Sequence, residues 1–481
     1  VGDFAQSHEA LLRLAARLRR LDEDGLDPRG YRLPDAILAA EDTSAWRAAL
    51  QRSATLALSD LLFGRVPELP GRVDLRRAPA TLSLATWMAE LIAAPEPTEV
   101  LDRAALLPPD AAALKLALAA ARLRAAAGGQ PAVPPFDGIE ALEPGAVDPL
   151  RVPALRVRLT AIDTALAEVE PAARDTYDEA LVAAVRRFQA AEGLQADGRI
   201  GRATFAALNQ PGQAAIRQLR VALDMRRAAA PAGAERRIEV NVPHQRLQVI
   251  EGRRVLLDMA VIVGKAARAT PMLRVRLTAV QFNPSWGVPE RNAREDLLPR
   301  FRANPRAMMD KGFRVYGVSE GQQVEISPAS IDWRAVNPAH FPYVIRQDAG
   351  EANALGRIKF IIPNTEDIYL HDTPDRSLFR RAERALSSGC IRLEKPLELL
   401  DIALEGTAGW DRARALRALD SQRTSSIAVG RSLPVRLHYT TAVVEGGEVR
   451  LRPDIYGLDD AYLRALDAPR AASLAALTGD R

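Results

Sequence analysis

Residues 368–396 read IYLHDTPDRSLFRRAERALSSGCIRLEKP and contain Cys390, the only cysteine in 481 residues, downstream of His371, one of five histidines. The alternation in IYLH predicts a strand that ends at His371. Ser387, Ser388 and Gly389 form a turn that delivers Cys390 into a second short extended piece. Two strand ends in one sheet can bring a thiol and an imidazole together. The thiol needs such a neighbour, because a free cysteine, with a pKa near ~8.5, is only slightly ionised at neutral pH. A glycine before the nucleophile also lets backbone N–H groups face a developing oxyanion. Composition alone favours a blander reading, since a lone cysteine is usually a small buried hydrophobe. The polar, glycine-containing flank SSGCIR is unlike the apolar run around a core cysteine.

Outward from this stretch, hydrophobic period two prevails from Arg237. RIEVNVP, RLQVIEG, RVLLDMAVIVG, VRLTAVQFNPSWGVP and GRIKFIIPN read as strands. KPLELLDIALEG reads as a helix with Pro396 in its first turn and Gly406 just past its end. VRLHYTTAVVEGGEVRLRPDIYG reads as a final hairpin. An irregular stretch rich in Pro, Asn and Arg, about residues 289–345, breaks the strand pattern. Residues 1–150 read as helical, with HEALLRLAARLRRL stopped by DEDGLDPRG and AALKLALAAARLRAAA stopped by Gly128-Gly129. QPAVPPFDG and EPGAVDP read as a connector. In residues 151–210, YDEALVAAVRRFQAAEGL places Leu181, Val185, Phe188 and Leu194 at near-helical spacing. Gly198 and Gly201 in ADGRIG supply backbone freedom. AAIRQLRVALDMRRA is helical again and is expected to pack back on the first segment.

Composition excludes several classes. Hydrophobic residues make up 48% and charged residues 26%, with a net charge of +4, as in a globular protein. The length predicts several domains. Lysine occurs only at Lys115, Lys265, Lys311, Lys359 and Lys395. No basic block interleaved with aromatics appears, so no nucleic-acid partner is expected. No run approaches the roughly 18–20 apolar residues of a membrane span. One cysteine excludes an internal disulfide and a zinc site built on several cysteines.

The pattern F-Q-x-x-x-G-L-x-x-D-G-x-I-G-x-x-T-x-x-A-L, Phe188 to Leu208, resembles the peptidoglycan-binding domain of bacterial cell-wall enzymes. IYLHDTP…SSGCIRLEKP resembles the signature of L,D-transpeptidases, and the similarity extends to TPMLRVRLTAVQFNPSWGVP and NALGRIKFIIPN. Together they are similar to the large, multidomain branch of that family. Many members carry a second histidine two residues before the cysteine, where this chain has Ser388; serine is expected in the large branch. The resemblance implies an α+β multidomain chain. A β-rich L,D-transpeptidase catalytic domain at 236–457, with a capping insertion at about 289–345, joins a helical scaffold at 1–150 that continues at 211–235. A small three-helix peptidoglycan-binding domain occupies 151–210, and 458–481 is a C-terminal tail.

Carried over residue by residue, the resemblance makes Cys390 the nucleophile and His371 the general base, oriented by a backbone carbonyl rather than by Asp372. Gly389 and Cys390 supply oxyanion donors. Tyr369 contacts substrate or the oxyanion, and Arg392 orients the turn or binds a stem-peptide carboxylate bidentately, each on the same strand face as its catalytic neighbour. For Tyr369 the plainer alternative is a core residue, and for Arg392 a structural ion pair. Ser388 and Trp286 border the substrate groove, and Trp333 is a further candidate, although tryptophan is more often buried packing. Ser387 and Ser388 are also turn formers. The implied reaction is a two-step acyl transfer from a tetrapeptide stem to the amine of a second stem, giving a 3→3 cross-link, with no cofactor or metal. The partners implied are peptidoglycan stem peptides and glycan, and carbapenems as pseudo-substrates. Water, or an outer-membrane protein as acceptor, is an alternative end for the same acyl-enzyme; a non-catalytic wall-binding scaffold is a third. A zinc hydrolase would need clustered ligands that five scattered histidines do not offer. A papain-like hydrolase would have its cysteine before its histidine. The expected location is the periplasm, with an inner-membrane anchor preceding Val1 as one arrangement.

Overall fold

A computed structural model of the chain describes residues 4–31, 43–75, 82–128, 131–135, 141–168, 173–228, 234–319 and 321–470. It divides into two compact units, Val1–Pro231 with Thr440–Arg481, and Ala232–Tyr439.

The first unit is mainly helical. Helix His8–Arg19 begins where Ser7 accepts a hydrogen bond from the Ala10 N–H, and Ser44–Phe63 begins likewise at Thr43. Such caps satisfy N–H groups that have no partner within the helix. Leu11, Leu14 and Leu18 share one face and bury against Trp46, Leu50 and Leu61. Helix Gln213–Ala228 packs on Ala111–Ala127 through Leu219 and Ala222 against Leu114 and Leu118, so this segment does return to the scaffold. Gly212 permits that approach: a Cβ there would lie 2.1 Å from the Ala121 carbonyl oxygen. Among the described residues no single helix is long and apolar enough to cross a membrane. The bent pair Pro97–Leu106 and Ala111–Ala127 passes that test only jointly.

Two expected boundaries shift. Residues 458–481 are not simply a tail, because Leu458–Asp467 is a helix that buries Tyr462 and Leu466 in the scaffold core; residues 471–481 lie outside the described residues. The hairpin is Ala442–Glu445 with Glu448–Leu451, and Ala442, Val449 and Leu451 pack on the helices at 111–127 and 213–228. It therefore belongs to the helical unit, and the β-rich unit ends at Tyr439 rather than 457. The core of the segment at 151–210 also takes in earlier residues, Val133 and Leu142. Leu142 bridges Ile200, and the Val133 N–H donates to Asn209 at 2.9 Å. This segment has the three expected helices, Arg151–Thr160, Glu179–Ala191 and Arg202–Asn209, with a four-residue helical turn, Thr164–Ala167, between the first two. Its FQ…DG pattern has a structural reason. Buried Gln189 donates to Asp197 and Thr204 and accepts from the Gly198 N–H, pinning the turn to the helix. Gly198 has φ +80°, whereas Gly201 at φ −84° uses no angle special to glycine.

The second unit is built on strands β1 (Arg237–Asn241), β2 (Arg246–Glu251), β3 (Arg254–Gly264), β4 (Leu273–Phe282), β5 (Trp286–Gly287), β6 (Phe313–Ser319), β7 (Gln322–Ile326), β8 (Val344–Gln347), β9 (Ile358–Ile361), β10 (Leu370–His371), β11 (Ala385–Ser387), β12 (Ile391–Leu393) and β13 (Ser425–His438). Nine form one sheet in the order β11-β3-β12-β10-β9-β4-β13-β1-β2, and a further β2–β3 pairing closes it on itself. Closure removes the exposed edges of an open sheet. Helix Pro396–Leu404 follows β12, with Pro396 in its first turn.

Strands β5, β8, β6 and β7 form a separate antiparallel sheet. With the helical stretch from Glu290 to Asp310 it encloses its own core around Phe301, Phe313 and Trp333. Trp333 stacks on Phe301 with ring centroids 4.3 Å apart and donates its indole N–H to the Pro328 carbonyl. It is cap core, not groove lining.

Candidate active site

Strand β10 lies between β9 and β12, paired in register Leu370↔Phe360, His371↔Lys359, Leu370↔Ile391 and His371↔Arg392. Side chains alternate between faces. Leu370, Phe360 and Ile391 therefore point into the barrel core, where all three are buried. The opposite face carries two rows, Lys359–His371–Arg392 and, one step along, Ile361–Tyr369–Cys390. All six line one cleft of about 740 Å³, together with Trp286, Ser387, Ser388, Asn364 and residues 366–368. Cys390 thus has Tyr369 as its direct cross-strand neighbour, and His371 is its diagonal one.

His371 is buried, and its Nδ1 lies 2.6 Å from the Asp372 carbonyl oxygen. A carbonyl only accepts, so Nδ1 carries the proton and Nε2 keeps its lone pair. Burial, then the Arg392 charge, pushes the imidazole pKa down to about 3, and the carbonyls of Asp372 and Leu355 oppose them. The Asp372 side chain accepts from the N–H groups of Arg357 and Thr373 and pairs with Arg376. It braces the turn rather than the imidazole.

Burial raises the pKa of the Cys390 thiol, opposed by hydrogen bonds from the Tyr369 N–H and hydroxyl and by the charges of Lys359 and Arg392. At rest the thiol donates to the Asp367 carbonyl at 3.7 Å. That carbonyl is held in place by a strained loop. Asp367 has φ +53°, uncommon for a residue with a side chain, and Asn364 ties the loop through Ile362, Glu366 and Ile368. Trp286 also bonds the Tyr369 side chain and packs edge-on against Phe313, linking the cap to the phenol. The resting arrangement is therefore a neutral thiol and a neutral imidazole, with a hydroxyl and an N–H arranged to receive negative charge on sulfur.

One expected role changes. The Gly389 N–H donates to Ser387 Oγ at 3.1 Å, and Ser387 donates on to the Cys390 carbonyl at 2.6 Å. Gly389 is therefore not a free oxyanion donor; with φ +119° its contribution is conformational. Among the described residues the Cys390 N–H has no hydrogen-bond partner, and it is the available donor. Ser388 lines the cleft rim, but its hydroxyl accepts from Arg268 at 2.7 Å and sits 3.4 Å from Asp296 of the cap. Arg392 makes no ion pair among the described residues, and its Nε has no hydrogen-bond partner. The ion-pair alternative for it therefore fails. Sequence reasoning passed over Lys359 and Asp367. For Lys359 the available signal was its scarcity, one of five lysines; for Asp367 there was none. Among the described residues no group of three or more His, Cys, Asp or Glu side chains converges as metal ligands would.

Residues 235–412 match the family described as the L,D-transpeptidase catalytic domain, and residues 151–208 match one described as "Putative peptidoglycan binding domain". A Haemophilus influenzae protein described as "Putative L,D-transpeptidase" is 43% identical over 222 residues, which cover 46% of this chain and 44% of that protein. The chain thus spans less than half the length of this curated relative. Among solved structures, an L,D-transpeptidase from Mycobacterium smegmatis is 15% identical, covering 44% of this chain and 61% of that one, with a TM-score of 0.20. An L,D-transpeptidase in complex with imipenem is 14% identical, covering 43% and 61%, also with a TM-score of 0.20.

Proposed function

We propose, from the premise that residues 235–412 of this chain belong to the L,D-transpeptidase catalytic-domain family, that its cleft cross-links peptidoglycan by cysteine acyl transfer. The Cys390 sulfur attacks the carbonyl of the L-centre of diaminopimelate in a tetrapeptide stem. His371 Nε2 takes the thiol proton and delivers it to the departing amine of the terminal D-alanine. The tetrahedral oxyanion is met by the free Cys390 N–H. The thioester is then attacked by the side-chain amine of a second stem, His371 again accepting a proton, to give a 3→3 link and the free thiol. The segment matching a peptidoglycan-binding family would hold the chain on the same polymer, and a periplasmic location is part of the proposal, as a wall substrate requires. A carbapenem, whose strained amide presents a similar carbonyl, acts as a pseudo-substrate.

The observation that carries this reading is the pair of rows on one sheet face, with nucleophile, base and free backbone donor converging on one cleft. Imipenem should add covalently to the wild type and not to Cys390→Ala, read by intact-protein mass. His371→Ala should slow the addition by about 10²–10⁴-fold. Incubation with disaccharide-tetrapeptide, followed by product mass analysis, identifies the acceptor. Cross-linked dimer is expected. Tripeptide alone would mean that water is the acceptor, and intact substrate beside an imipenem adduct would reject the stem assignment.

A further inference from the structure

The cleft holds two cations that the acyl-transfer scheme leaves unused. Lys359 and Arg392 flank His371 on the two neighbouring strands, in one row of the sheet. The Lys359 ammonium sits 3.9 Å from the centre of the Tyr369 ring, and that ring belongs to the row containing Cys390. Cation–π contact compensates an ammonium only in part. Among the described residues neither Lys359 nor Arg392 has a carboxylate within ion-pair distance, and Arg392 Nε is buried without a partner. Both side chains are half-buried, and charges drawn away from water are ordinarily paired, because an uncompensated one is costly. Asp367 acts on Lys359, and Asp375 on Arg392, only through space. Two uncompensated cations on one cleft wall call for an anion supplied by whatever enters.

We propose that Lys359, acting with Arg392, seats the C-terminal carboxylate of the residue released from the donor peptide, so that the cleft selects a free acid one residue beyond the scissile bond. This rests on the donor chemistry proposed above. In that donor the terminal carboxylate is separated from the scissile carbonyl by one nitrogen and one Cα, a reach of about 3.8 Å. A group reacting at Cys390 therefore carries its carboxylate towards the next row of the sheet, where the two cations lie. The compact ammonium meets a carboxylate as a point charge, and the guanidinium can bind it through two parallel N–H groups. Seating the anion has a second effect. Arg392 and Lys359 both oppose a proton on His371, so neutralising them raises the basicity of the imidazole once donor is bound.

The test compares release of the terminal residue from disaccharide-tetrapeptide and from the same compound amidated at its C-terminus. The full chain is used as wild type, Lys359→Met and Lys359→Arg. Wild type should favour the acid over the amide in kcat/KM on the order of tenfold to a hundredfold, as for one charge-assisted hydrogen bond. Lys359→Met should lose most of that preference, chiefly through KM for the acid, and Lys359→Arg should keep most of it. Far-ultraviolet circular dichroism and an unchanged thermal transition show that each variant is folded, and alkylation of Cys390 by iodoacetamide, which is neutral, shows that its cleft is open. Equal slowing of acid and amide in Lys359→Met overturns the carboxylate seat, and so does a wild type indifferent to amidation. Failure of the wild type to release the terminal residue from either compound, while imipenem still adds to Cys390, counts against the donor assignment instead.

Discussion

Cys390 and His371 are both neutral at rest, and the lone cysteine makes that state directly measurable. Burial holds His371 at about 3, whereas the unfolded chain would protonate it from about pH 6.5. The native state thus gives up stability as pH falls from about 6.5 to about 3, and loses nothing through this group above that window. The thiol is held above its ordinary value by burial. The ultraviolet absorbance of the thiolate, read as wild type minus Cys390→Ala, should be absent from about pH 5 to 8 and rise only above the usual thiol range. A thiolate signal of half its full amplitude at neutral pH would replace this picture with an imidazolium–thiolate pair. Gly389→Ala tests the turn. At φ +119° a side chain should cost about 1–3 kcal/mol, and imipenem addition should fall by more than about tenfold in a folded variant. Cys390 and His371 stand out through strand alternation and a polar turn, which are local signals, and the family resemblance supplies their roles and those of Tyr369 and Arg392. Lys359 was not legible, because its place beside His371 depends on which strand lies next to β10, a choice made by the whole sheet. The diversion of the Gly389 N–H to Ser387 was hidden too, since it depends on a backbone angle and not on a residue type.

At the level of elements, the cap is fastened to the loop that carries Cys390 through Arg268 and Ser388. A wide helical turn, Ala293–Leu297, presents Glu295 and Asp296 to Arg268, which also bonds Ser388, two residues before Cys390. Both carboxylates are partly exposed, so losing these pairs should change stability little. The effect should appear instead in product partition. A loosened cap admits water to the thioester, and Arg268→Met should lower the ratio of cross-linked dimer to hydrolysed tripeptide while imipenem addition persists. An unchanged ratio in a folded variant would show that the contact merely decorates the cap. The peptidoglycan-binding segment gives a second test. Since Val133 and Leu142 complete its core, a fragment of residues 131–212 should show a cooperative thermal transition and co-sediment with purified sacculi, whereas 151–210 should unfold at lower temperature. Equal stability of the two fragments would refute the longer boundary. Helices with a strong apolar period were readable along the chain. The stretch at 131–147 was not, because isolated bridges and single anchoring side chains leave no periodic trace.

At the scale of the whole molecule, the chain leaves the helical unit after Pro231 and returns to it at Thr440, so residues far apart in sequence close one core. Sequence reading placed this return wrongly for a physical reason. The hairpin at 442–451 has a strand period and follows a strand, but its apolar face finds its partner on helices. Leu458–Asp467 is likewise too short for its periodicity to distinguish a docked helix from a frayed end. Its docking is specific. Tyr462 is fully buried, and its hydroxyl donates to Asp224 at 2.8 Å. Asp224 also accepts from the backbone N–H groups of Arg65 and Val66. One carboxylate therefore joins the C-terminal helix, helix Gln213–Ala228 and the turn after Ser44–Phe63. Tyr462→Ala should destabilise the helical unit by about 3–5 kcal/mol, the usual cost of deleting a buried aromatic, and Tyr462→Phe by about 1–3 kcal/mol for the lost bond to a charged acceptor. Differential scanning calorimetry of the full chain, read beside the extent of imipenem addition to Cys390 at 25 °C, separates the alternatives. The transition carried by the helical unit should move down in the order Phe, then Ala, with the Cys390 adduct still forming. A Tyr462→Ala variant with an unshifted transition would return residues 458–467 to the status of a tail.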